Sequence, residues 1–188
     1  MPKVVATKED WIKLGYELFS DSGEDGLNVD KMSRALKCNK SSFYWHFKTK
    51  PEFLDRIIEF WIATDTSKII EEVNLQTTAK NKILKLIELA FKKDSNLDFI
   101  FFLKKYSQRK KVLKTTIDKI DFERINFVST LLEEFGYDKK NASTKSAIFY
   151  KYLIGYHEMI RYKKQTKDYM QDVLTDLNHL IKLNIGNE

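Results

Sequence analysis

The residues best equipped for chemistry in this chain cluster between Asn28 and Phe47. Lys40, Ser41, Ser42, Tyr44, Trp45 and His46 offer hydroxyl and nitrogen donors, flat rings and positive charge within seven positions. Interleaved with them, Val29, Met32, Leu36, Cys38, Phe43 and Phe47 form an apolar set at helical spacing. This pattern predicts two short helices joined by three or four residues, locked by the apolar set. The second helix is presented outward, sized for a major groove about 12 Å wide, and its first amides are available to phosphate. Charge points the same way. Residues 31–50 hold Lys31, Arg34, Lys37, Lys40, Lys48 and Lys50 with no acid, whereas residues 1–30 hold three Lys against seven Asp and Glu. A basic block of this kind is the expected footprint of a phosphate backbone.

Other chemistries find little support. No Gly-rich phosphate loop, zinc-ligand helix motif or nucleophile–base pair can be read, so no catalytic residue and no cofactor is expected. His157 and His179 lack partners at metal spacing, so no metal site is expected either. The single cysteine, Cys38, excludes an internal disulfide framework, fits a reducing cytoplasm, and reads as a packing residue rather than a redox switch. The first twenty residues carry Lys8, Glu9, Asp10, Lys13 and Glu17 and do not read as a secretory signal. No apolar run approaches a bilayer span.

The elements that must position the cluster are helical throughout. With 6 Gly and 2 Pro in 188 residues, the chain is poor in breakers. Thr7 is placed to cap a first helix along Trp11, Leu14, Gly15, Leu18 and Phe19, ended by Gly23 and Gly26. Asn28 caps the second helix and Asn39 the third. Thr49-Lys50-Pro51-Glu52 is a start signal for a fourth, with Thr49 capping and Glu52 returning the bond. That helix runs past Trp61 into the seventies, and 74–78 is a connector. Further helices follow over Ile83–Phe91, Leu97–Tyr106, Val112–Phe135 (closed by Gly136), Asp138–Arg161 and from Thr166 onward. The expected fold is all-α with about nine helices, divided into a head at 1–50 and a helical body at 51–188.

The head resembles the tetracycline-repressor (TetR/AcrR) family of bacterial regulators over about residues 7–60. Asn28, Val29, Met32, Ala35, Cys38, Tyr44, Phe47 and Lys50 stand where that family's pattern has its cap, hydrophobes, Tyr-x-x-Phe and following Lys. The chain departs from the pattern twice. Lys37 replaces the usual turn glycine, which predicts either backbone strain or a slightly different turn, and Asp30 occupies a place where some members carry a basic reader. The resemblance implies a helix-turn-helix DNA-binding domain followed by a ligand-binding and dimerisation domain. It implies that Lys40, Ser41 and Ser42 face base edges or phosphates, that Tyr44 and His46 reach phosphates, and that Trp45 lies on the sugar-phosphate wall or a thymine methyl. Lys50 would pair with phosphate, and Asn28 would do so through its amide.

For the body, the resemblance implies a pocket for a small-molecule effector, with Phe102, Tyr106, Phe127, Tyr150 and Tyr156 as its expected wall. Aromatic bodies with polar tips suit a flat or amphipathic apolar compound. It also implies that the last two helices pair with those of a second subunit, which places two recognition helices about 34–36 Å apart. The expected function is therefore a cytoplasmic DNA-binding regulator, a homodimeric repressor of a palindromic operator that a ligand releases. The opposing readings are a helical carrier or enzyme with a non-functional head, and a regulator governed by a protein partner. The operator, the effector and the direction of regulation are not legible.

Overall fold

A computed structural model describes residues 6–93, 98–108, 111–161, 163–183 and 185, with only the backbone of Asp98, Lys111 and Val112. Among these residues there is no strand. The helices are α1 (Lys8–Ser22), α2 (Val29–Ala35), α3 (Ser41–His46), α4 (Lys50–Trp61), α5 (Lys68–Asn74), α6 (Ala79–Phe91), α7 (Asp98–Ser107), α8 (Lys111–Glu134), α9 (Lys139–Ile160) and α10 (Tyr169–Ile181). A π-helical stretch, Ile62–Ser67, joins α4 to α5 without a break. Taking 50–74 as one run, the described residues hold nine helices, as the apolar periodicity predicts. Leu97, the expected start of the seventh, lies outside the described residues.

Local chemistry accounts for most boundaries. Thr7 accepts a hydrogen bond from the Asp10 amide at 3.1 Å and gives its own amide to the Asp10 carboxylate at 2.8 Å, a complete capping box. Thr49 accepts from the Glu52 amide at 3.2 Å, but Glu52 returns its bond to the amide of Lys48 rather than Thr49. Asn28 caps α2 through the Lys31 amide at 3.1 Å. Asn39 does not cap α3. Lys40 holds the cap position and no side chain caps that helix. The last helix starts at Tyr169, not Thr166, whose hydroxyl instead reaches the Asp172 carboxylate. The π stretch coincides with Thr64, whose hydroxyl donates to the Phe60 carbonyl at 2.8 Å and competes with the backbone ladder.

Packing divides the chain into two compact units, Met1–Asp65 with Ser95–Lys111, and Thr66–Asp94 with Val112–Glu188. This grouping does not fall at residue 50, because α4 and α7 both complete the core around α1. Gly15 lets α4 approach so closely that a Cβ there would lie 2.5 Å from Phe53 Cζ and 2.6 Å from Ile57 Cδ1. Rings continue the core. Phe43, Phe47 and Phe53 pack with centroids 4.8–5.3 Å apart, and Phe99 of α7 meets Phe19 at 4.9 Å and Trp61 at 5.0 Å. Trp11 and Trp61 are core residues here.

In the second unit, Val73, Ile83, Ile87, Phe91, Leu131 and Phe149 head a core shared by α5, α6, α8, α9 and α10. Polar side chains close its helix ends. The Lys93 ammonium donates to the carbonyls of Ile160, Arg161 and Lys163 at 2.8–2.9 Å, satisfying the end of α9. Gly136, at φ 113°, closes α8 with paired bonds from Tyr137 to Leu132 and from Gly136 to Glu133.

Candidate nucleic-acid interface

The turn between α2 and α3 decides how the second helix is presented. α2 ends in a Schellman motif. The Cys38 amide donates to the Ser33 carbonyl at 2.9 Å and the Lys37 amide to Arg34 at 3.1 Å, with Lys37 at φ 51° between them. The strain predicted from the missing glycine is therefore present, since a left-handed L-residue costs about 1–2 kcal/mol. Beyond the turn, Phe43 and Phe47 are fully buried and hold α3 against α1 and α4. The Trp11 and Phe43 rings meet edge to face at 5.3 Å.

With those rings inside, the opposite side of α3 faces outward. Trp45 is 80% exposed and Tyr44 53% exposed, although each is large and apolar in body. Both could have been buried at low cost, so their exposure makes this side of α3 a candidate contact surface. Ser41 and Lys40 are exposed beside them, and Lys50 is exposed as the first residue of α4. Asn28 is also exposed, but its amide donates to the Gly26 carbonyl at 2.9 Å, so that group is already engaged. The amides of Ser42 and Phe43 likewise donate to Asn39 and Lys40, and α3 starts with fewer free donors than expected.

Asp30 modifies the charge of this surface. Its carboxylate takes the Lys40 ammonium at 3.0 Å, and that hydrogen bond and charge hold Lys40 above the ordinary lysine range. The acid that stands in place of a basic reader thus ties down one of the cations expected to face DNA.

Ser42 and His46 point elsewhere. Trp11 Nε1 donates to Ser42 Oγ at 3.3 Å, and Ser42 Oγ donates to the Ala6 carbonyl at 3.4 Å. His46 Nε2 donates to the same carbonyl at 2.8 Å. Both side chains are half-buried. The Cys38 thiol is pushed up by burial, opposed by its polar contact with Ser42. The apolar periodicity marks Trp11 only as a core residue. Its ring nitrogen was the available signal, because a buried indole N–H needs an acceptor.

The five expected effector residues are distributed over both units. Phe102 packs on Gly23 and Phe19 in the first, where Tyr106 is half-buried. Phe127, Tyr150 and Tyr156 belong to the second. Tyr150 is buried and donates to Asp121 at 2.6 Å; burial pushes its hydroxyl well above the usual tyrosine range, with the Arg124 charge opposing. Arg124 donates to Thr66 through Nε at 3.1 Å and Nη2 at 2.6 Å. Tyr156 packs against Phe91 and accepts from Gln165. Among the described residues no group of three His, Cys, Asp or Glu could hold a metal, and no helix is long and apolar enough to cross a membrane.

Residues 12–57, which carry this constellation apart from Ala6 and Trp11, match the profile of bacterial regulatory proteins, tetR family. Over that stretch the chain is similar to the tetR family. The chain is 32% identical over 63 residues to the class G tetracycline repressor protein of Vibrio anguillarum, covering 34% of this chain and 30% of that protein. It is 35% identical over 52 residues to the class C protein of Escherichia coli, covering 28% and 24%. The matched stretch thus spans no more than a third of these curated relatives. Likeness in fold extends much further. A transcriptional regulator from Rhodococcus sp. Rha1 superposes with TM-score 0.78 at 14% identity, over 94% of this chain and 96% of the other. One from Aquifex aeolicus VF5 gives 0.66 at 20% identity, over 94% and 98%. The all-α fold of nearly the whole chain is therefore shared with these solved structures.

Proposed function

We propose that this protein is a homodimeric transcriptional repressor that binds a palindromic operator through α3 and leaves it when a small apolar or amphipathic compound occupies the second unit. The observation that carries the reading is the exposure of Tyr44 and Trp45 on a short helix whose other side is fully buried, within a block of six cations. Lys40, Ser41, Tyr44, Trp45, Lys50 and Asn28 supply the contact surface. Lys50 and Lys40 neutralise phosphate and set affinity, while Ser41, Tyr44 and Trp45 meet base edges, methyl groups or sugar. The effector lies against Phe127, Tyr150 and Tyr156, and it acts by binding the DNA-incompetent conformation more tightly than the competent one. Exposed Met159 on α9 and Leu180 on α10 support those helices as the dimer face, since two large apolar side chains there lack cover.

The test is binding of the full chain to a pool of random duplexes at two salt concentrations. A regulator enriches one sequence and shows an affinity that falls steeply with salt. A helical carrier or enzyme shows no salt-dependent DNA affinity at all, and that result would remove this reading. Within the same assay, Lys50→Ala weakens the enriched and scrambled duplexes alike and makes the salt slope shallower by about one phosphate contact.

A further inference from the structure

The tetR-type head contains two polar side chains on its reading helix that are not free to read. The Ser42 hydroxyl has one proton and two lone pairs. Its proton goes to the Ala6 carbonyl, one lone pair takes the Trp11 indole N–H, and the Cys38 thiol sits against it. His46, one turn later on the same side of α3, gives its Nε2 proton to the same carbonyl. Ala6 itself is buried.

We propose that Trp11, Ser42 and His46 are positioning residues: they clamp the carbonyl of Ala6 as a strap that fixes the roll and axial position of α3, and so aim Ser41, Tyr44 and Trp45. The inference rests on the reading of the head as a DNA reader. Its physical basis is that α3 has six residues and no side-chain cap at its start, far too little to hold an orientation by its own helical bonds. Phe43 and Phe47 press one side of it into the core, but apolar packing is non-directional and tolerates small rotations. Two directional bonds from positions four residues apart to one atom remove that freedom. Trp11, fully buried on α1, anchors the Ser42 end of the clamp and has no route to DNA.

The experiment takes the duplex most enriched by the wild-type full chain, all its single-base-pair variants, and a scrambled duplex of equal length. Trp11→Phe keeps the buried ring but removes the indole N–H, and Ser42→Ala removes the hydroxyl. Each is expected to weaken the enriched duplex about threefold to tenfold, the effect of one lost hydrogen bond. The preferred base at every position, the scrambled affinity and the salt slope stay unchanged. The double variant is no weaker than the weaker-binding single variant, because both break one network. His46→Gln, whose Nε2 can still donate to Ala6, retains the enriched affinity that His46→Ala loses. This pair carries the test should Trp11→Phe not fold.

Three results would overturn the strap. Ser42→Ala could switch the preferred base at one position, which is direct reading. Trp11→Phe could bind as wild type does. His46→Gln could be as weak as His46→Ala. If the wild-type chain enriches no duplex, the DNA-reading function itself falls, and the strap with it.

Discussion

Two side chains in the head sit where physical chemistry would place something else, and each is a lever. Lys37 at φ 51° occupies the C′ position of α2 that glycine fills at least cost. Lys37→Gly relieves the left-handed strain, offset in part by glycine's larger unfolded-state entropy, and should stabilise the chain by about 0.5–1 kcal/mol. Thermal unfolding without DNA measures this as a rise in Tm of a few degrees. Asp30 holds Lys40 at the surface, where such a pair contributes little to stability. Asp30→Asn therefore leaves Tm nearly unmoved but frees a cation beside α3. The salt slope of DNA binding should steepen by about one unit, so that the gain over wild type is roughly threefold larger at 50 mM than at 200 mM salt. An unchanged slope would mean Lys40 does not meet phosphate.

Among the elements, the contact of α1 with α4 is set by a missing side chain. At Gly15 the helix gives up about 1 kcal/mol of propensity relative to alanine, so a surface Gly15→Ala change would stabilise. Here the new methyl would lie 2.5 Å from the Cζ of Phe53, a buried ring packed against Phe43 and Phe47. Overpacking costs about 1–3 kcal/mol, and the sum predicts Gly15→Ala to be destabilising by up to about 2 kcal/mol. Denaturant titration decides the sign. Stabilisation would show that α4 can withdraw from α1 freely.

For the whole molecule the question is assembly. Met159 on α9 and Leu180 on α10 are 70% and 51% exposed in the single chain, where neither contributes to the core. In a homodimer through these helices, Met159→Glu with Leu180→Glu places four carboxylates in an apolar contact. Sedimentation should then report monomers where the wild type gives dimers, with helical content retained. Binding to a palindromic duplex should fall to that of a half-site, because two heads no longer share one duplex. A variant that stays dimeric would move the interface elsewhere.

Much of this was legible along the chain, and the reason is that the legible part is local. Helix periodicity, the Thr7, Asn28 and Thr49 caps, the Gly136 stop and the strain at Lys37 all depend on neighbours within a few residues, and the structure has each of them. The roles of side chains at long separation were not legible. The family resemblance implies DNA contacts for Ser42 and His46, yet whether such groups face a groove or the Ala6 carbonyl depends on an atom 36 or 40 residues away. The grouping of α7 with α1 and α4 has the same origin. Phe99 is an ordinary helical aromatic in the sequence, and packing against Phe19 and Trp61 from distant stretches makes it core of the head. Short-range rules fixed which helices exist, whereas directional bonds and close approach between remote segments settled which of their faces are left to act.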